Sequence, residues 1–335
     1  MERQLEAFVR EVAERTALLR HYHRRGYAED PRVDLVGHSM GGLIIAGYLE
    51  RSGAEARVGK VATLGTPFRG SLEAPIKIVT GTAALDGDEL PASREREAAR
   101  LTPALYHLVP DFDGALVVDE GLPDDFFSVE TWQRGVVDTL AEFIRLHGLR
   151  RGNKGQREAW ARELLSGMLE MASSHRRRIS GLALGEAGLE QDDWLCLIGV
   201  DTRTRVRLRI GVKRGEALFD LTGADRRNDW SASDPEERVL TGDGTVPYRG
   251  AEPPFLERER LVCVRPDDFG YWEIRDRLLR RAAGFHAVLP TLNLAHRLVV
   301  SHLRGRATKG VWGRPPPGVD QKDWTPPIRG LAYKA

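Results

Sequence analysis

The pentapeptide Gly37-His38-Ser39-Met40-Gly41 sets a hydroxyl between two glycines. Its first glycine ends the apolar run VDLVG (33–37), and it stands just before LIIAGYLER (43–51), which reads as a helix. As a bare pattern, G-x-S-x-G says little. Between a strand and a helix it describes a strained turn that lifts the serine oxygen clear of a sheet and over a helix N-terminus. There the backbone N–H of Met40 could face a developing oxyanion. A serine hydroxyl is a poor nucleophile at neutral pH, so it needs a base within hydrogen-bond reach and an acid to orient that base.

In a strand–turn–helix site of this kind the chain order is nucleophile, acid, base. Asp243 lies in TGDGTVP (241–247), where glycines on both sides allow a sharp bend and a proline ends it. The same residues would also serve as a plain Asp-Gly turn. Asp201, just after WLCLIGV (194–200), satisfies the order rule too and stands as the rival acid. His286, in GFHAVLP (284–290), follows the last expected core strand and precedes the final helix, which makes it the candidate base. His296 and His302 fall inside that helix and read as surface or packing residues, while His21 and His23 precede the serine and are disfavoured. His38, its direction set by the turn, is expected to line the pocket.

Positioning these groups takes a frame of strands and helices. VDLVG, VATLG (61–65), WLCLIGV and RLVCV (260–264) read as buried strands, with helices between them. Strands alternating with helices imply an α/β fold with a mostly parallel sheet. TRVRLRIGV (204–212) is expected to pair with WLCLIGV as a hairpin. Residues 72–190 read as a mostly helical cap inserted into a core of 1–71 and 191–304. That cap carries two long helical patterns, SVETWQRGVVDTLAEFIRLHG and REAWARELLSGMLEMASSHRRR. Its Phe126, Phe127, Trp132 and Leu140 could pack inside the cap or meet lipid. Other helices are expected over 3–20, stopped by GYAEDP (26–31), and over about 291–304. The tail, 305–335, is basic and Pro-rich and reads as irregular or loosely packed.

Bulk numbers narrow the partners. The 335 residues carry 50 basic and 49 acidic side chains, a net charge of +1, which removes the main electrostatic argument for nucleic-acid binding. Cys196 and Cys263 each sit in an apolar run and read as buried thiols, with one disulfide left open. No zinc-type spacing or HExxH occurs, so no metal is expected. No stretch approaches the ~18 apolar residues of a membrane span. The charged start, MERQLEAFVREVAER, lacks the apolar region of a secretory signal; if residue 1 is the true start, the chain is expected to be cytoplasmic.

Taken in order, VDLVGHSMGG, LGTPFRGS (64–71), RLTPALYHLVPDF (100–112) and GDGTVP (242–247) resemble the lecithin:cholesterol acyltransferase-like, lipase-like branch of the α/β-hydrolases. The resemblance covers about residues 30–300. It implies serine chemistry on acyl esters, often of lipids, without metal or organic cofactor. It marks Ser39 as nucleophile, Asp243 as acid and His286 as base. Such folds place several strands before the nucleophile strand, and a loop from one of them supplies a second oxyanion donor. Only about 32 residues precede VDLVG here, so an N-terminally incomplete sheet is expected, with an exposed edge that favours self-association. Three readings stay open: an ester hydrolase, an O-acyltransferase with the same triad, and a non-catalytic binding protein. The expected partner is a small-molecule or lipid acyl ester, with a transient lipid interface.

Overall fold

Four short runs rich in aliphatic residues build the central sheet of the computed structural model, which describes residues 1–19, 29–82, 93–148, 151–270, 273 and 284–334. They are β1 (Val33–His38), β2 (Val58–Leu64), β4 (Trp194–Gly199) and β9 (Val262–Val264), hydrogen-bonded in that order and all parallel. This is a mixed α/β fold with a mainly parallel main sheet. β4 is buried along its whole length, as a strand covered on both faces must be. β1 lies at the sheet's edge, and its Val36 is 56% exposed. His21, His23, the first half of the GYAEDP stop and the loop around Pro91 lie outside the described residues.

Helices cover both faces of this sheet. On one side α1 (Glu2–Leu18) and α2 (Met40–Ser52) pack with Trp194, Cys196 and Ile198 of β4. On the other, α8 (Asn293–Leu303) packs with Leu195, Leu197, Val262 and Val264. Cys196 and Cys263 are buried free thiols on the neighbouring strands β4 and β9.

A second apolar cluster gathers α3 (Glu73–Thr80), α5 (Pro103–Tyr106), α6 (Arg134–Leu146) and α7 (Lys154–Ser180). α4 (Ser93–Leu101) packs against α3 and α6. The cluster corresponds to the cap we propose for 72–190. Phe126, Trp132 and Leu140 are buried within it and Phe127 packs against it, so these side chains serve packing.

Two expectations about local structure are corrected. Residues 204–212 do not form a hairpin with β4. Asp201 takes a positive φ of 61° and turns the chain away, and both sides of β4 are already occupied by β2 and β9. β5 (Thr204–Arg205) pairs instead with β8 (Arg226–Arg227). β6 (Leu208–Lys213) joins β3 (Leu116–Val118) and β7 (Glu216–Phe219) in a small sheet of the cap cluster. Nor is the tail loose. Val311, Arg314, Trp324 and Ile328 are buried, and the Arg314 carbonyl accepts from Cys263 N–H at 2.8 Å. The Arg314 guanidinium grips the buried Asp268 carboxylate at 2.6 and 2.9 Å. The prolines hide this because they signal only the lack of regular helix, not the lack of packing.

Candidate active site

The β1–β2 ladder runs into the turn that carries the serine. Ser39 N–H donates to the Leu64 carbonyl at 2.9 Å, and the chain then reverses into α2. Ser39 holds φ 53° and ψ −128°. A side-chain-bearing residue in such a conformation costs about 1–3 kcal/mol and persists only where its surroundings impose it. Crowding here falls on Gly37 and Gly42. A Cβ on Gly37 would lie 2.9 Å from the backbone of Gly41 and Gly42, and one on Gly42 would overlap the Thr66 side chain. Gly41 itself faces open space. Met40, the first residue of α2, offers one of the backbone N–H groups that a helix start leaves without an internal acceptor.

Asp243 is 1% exposed, and its turn grips the carboxylate from behind. Thr245 and Val246 N–H donate to Oδ1 at 3.0 and 2.7 Å. Gly244, at φ 96°, donates its own N–H to Thr204 Oγ1 at 2.8 Å. Oδ2 is left for His286, whose Nδ1–H donates to it at 2.6 Å. On the other side of the ring, His286 Nε2 accepts the Ser39 hydroxyl at 2.9 Å. The structure thus brings together the three residues singled out in the sequence. Asp201 is not brought to the imidazole: it pairs with Arg265 at 3.0 Å and accepts from Asn228 Nδ2.

The backbone of His286 is tied at both ends. Its N–H donates to the Asp243 carbonyl at 2.9 Å, and its own carbonyl accepts from His38 Nε2–H at 3.0 Å. The His38 ring lies against that of His286, with ring centroids 4.8 Å apart. Burial and then repulsion from His286 hold His38 below the usual imidazole range. For His286 burial is the largest single influence and acts downward. The Asp243 charge and its hydrogen bond outweigh it, so the imidazole sits above its ordinary value.

Sequence reasoning missed Gly65, in LGTPFRGS. At φ 55° it passes so close to the site that a Cβ would lie 3.0 Å from Asp243 Oδ2 and 3.2 Å from His286 Nδ1. The signal was there, a glycine at the carboxyl end of a buried strand, but only the fold says what approaches it. Gly199 plays a similar part, since its Cβ would come 2.6 Å from that of Asp243.

Beside Met40 runs a groove of about 700 Å³, bounded by α2, α5, α7 and the first turn of α1. His107 is on its wall. Burial, then His175 and Arg176, push the His107 imidazole down to about 4. Among the described residues no group of three or more His, Cys, Asp or Glu side chains is arranged to hold a metal ion, and no helix is long and apolar enough to cross a membrane.

Residues 21–137 match the Lecithin:cholesterol acyltransferase family model. That span takes in the serine turn, the LGTPFRGS loop and the RLTPALYHLVPDF segment, three of the four motifs that carried the resemblance. Among solved structures the chain is similar to one in the crystal structure of the Tle4-Tli4 complex, at 18% identity and a TM-score of 0.47. The likeness covers 68% of this chain and 51% of that one, so this chain spans about half its length. No curated protein matches.

Proposed function

We propose that this chain is a serine-dependent acyl-ester hydrolase, esterase- or lipase-like, in which Ser39 is the nucleophile, His286 the general base and Asp243 the acid that orients it. The observation that carries the reading is the continuous hydrogen-bonded line from Ser39 Oγ through the His286 ring to Asp243 Oδ2, at 2.9 and 2.6 Å. Ser39 Oγ attacks the acyl carbon while its proton passes to His286 Nε2. Asp243 stabilises the imidazolium, and Met40 N–H receives the oxyanion. His286 then returns the proton to the leaving alkoxide, freeing the alcohol and leaving an acyl group on Ser39. Water, deprotonated by the same imidazole, releases the acid. An alcohol in place of water would give acyl transfer by identical steps. Substrates on this reading are small-molecule or lipid acyl esters.

The test compares the parent with Ser39→Ala on p-nitrophenyl butyrate. A loss on the order of 10⁴-fold or more is expected; equal rates would end the proposal. A labelled ester offered with and without glycerol should give free acid in both cases, whereas acyl-glycerol as the main product would move the reading to acyl transfer.

A further inference from the structure

The groove beside Met40 has an apolar part and a charged part, and the change falls at a definite place along α2. Met40, Leu43 and Ile44 are three and four residues apart and share one helix face. Ala104 of α5 and Met171 of α7 complete the apolar section. Gly47 is next on that face. A Cβ there would overlap the Glu2 carboxylate and sit 3.0 Å from His175 Nε2. Those two side chains therefore press on the helix at Gly47, joined to each other at 2.7 Å. Arg178 lies 3.7 Å from Glu2 and 2.6 Å from Glu50, and Arg51, which pairs with Glu6 at 2.7 Å, stands one helical turn beyond. A charged belt thus crosses the groove at Gly47.

We propose that this groove takes the acyl chain of the ester attacked by Ser39 and that the Glu2–His175 belt limits its length to a medium chain of about eight carbons. The inference rests on the hydrolase reading and deepens it. From Met40 to Gly47 is seven residues, or roughly 10 Å at a rise of ~1.5 Å per residue. An extended alkyl chain, with bonds of ~1.5 Å at tetrahedral angles, advances roughly 1.3 Å per carbon. The apolar section therefore holds about eight carbons. A longer chain would press methylenes against paired charges and strip them of water without replacing any hydrogen bond, which is unfavourable. Each methylene that does fit leaves water and raises kcat/KM by roughly fourfold.

The experiment is a series of p-nitrophenyl esters from acetate to palmitate, below the concentration at which any of them forms micelles. In the parent, kcat/KM should climb to about the octanoate and then level or fall by the laurate. The Glu2→Ala/His175→Leu variant opens the groove as far as Arg51, roughly 6 Å further along α2 at ~1.5 Å per residue. Its optimum should move out by about four carbons. Ile44→Trp, on a partly buried position of the same face, should move the optimum inward by several carbons and keeps the idea testable if the double variant does not fold. A parent profile that rises without a break to palmitate, or an optimum that neither variant moves, overturns the length limit while leaving the hydrolase reading intact. Absence of hydrolysis at every chain length, together with absence of a fluorophosphonate adduct on Ser39, overturns the hydrolase reading and the length limit with it.

Discussion

At the scale of single residues, the site is a set of short tethers around one imidazole. Asp243 serves His286 twice, with its carboxylate on Nδ1 and its carbonyl on the backbone N–H. Asp243→Asn keeps the shape but no longer offers a charge to hold the reactive tautomer, so kcat should fall on the order of 10⁴-fold near neutral pH. The pH profile supplies a second check. The base must be neutral to accept the serine proton, and the Asp243 charge holds His286 above the ordinary imidazole value. Activity should therefore rise with pH through a limb displaced above 6.5. In Asp243→Asn, where burial acts unopposed, the residual activity should show that limb displaced downward. Gly65→Ala forces a methyl to within 3.2 Å of both Asp243 and His286 and should lower kcat far more than it raises KM. Ser39, Asp243 and His286 were singled out in the sequence by chain order, flanking glycines and, for the choice of Asp243 over Asp201, the family resemblance. The work of His38 and Gly65 was not, because it depends on which backbone comes near, and no local pattern records that.

At the scale of elements, the loop after β2 links the Ser39 turn, the Asp243 turn and the proposed cap. Ser71 Oγ donates to the Thr245 carbonyl at 2.6 Å, and Arg69 N–H donates to the Gly250 carbonyl at 2.8 Å. The same loop holds the cap segment, with Ser71 N–H on the Leu108 carbonyl and Asp111 N–H on the Arg69 carbonyl. Arg176 of α7, 3% exposed, closes the arrangement from above by donating to the carbonyls of His107 and Val109. His107 within this segment resists protonation, whereas an unfolded imidazole does not. Stability should then fall as pH drops from 6.5 toward about 4, because the unfolded chain takes up a proton that the folded one refuses. His107→Gln should flatten that part of the profile in urea titrations at a series of pH values, and a profile identical to the parent's would contradict the assignment. The strands of the main sheet and the long cap helices follow from apolar patterning alone. β6 did not reveal its partners, since alternation tells which face is buried and not which sheet receives it.

At the scale of the whole molecule, the chain's last described segment completes the far face of the sheet. Asp268 and Arg314 are both nearly out of solvent, and Trp324 Nε1–H reaches the Leu261 carbonyl at 2.9 Å. Removing one partner of a buried pair strands the other, at a cost of about 3–5 kcal/mol. Arg314→Met should therefore lower the urea midpoint markedly with little change in the slope, and an unchanged midpoint would show that the tail adds nothing to the fold. That role was invisible in composition, where prolines and basic residues read alike in a loose tail and in a packed one.

All of this turns on whether the Ser39 hydroxyl is activated by the imidazole beside it. The direct measurement is the rate at which a fluorophosphonate forms a covalent adduct, mapped to a peptide by mass spectrometry and followed across pH. The account predicts a single adduct on the peptide containing Ser39, formed with the same acid limb as ester hydrolysis and lost in His286→Ala. An adduct elsewhere, or labelling of Ser39 at an undiminished rate without His286, would contradict it.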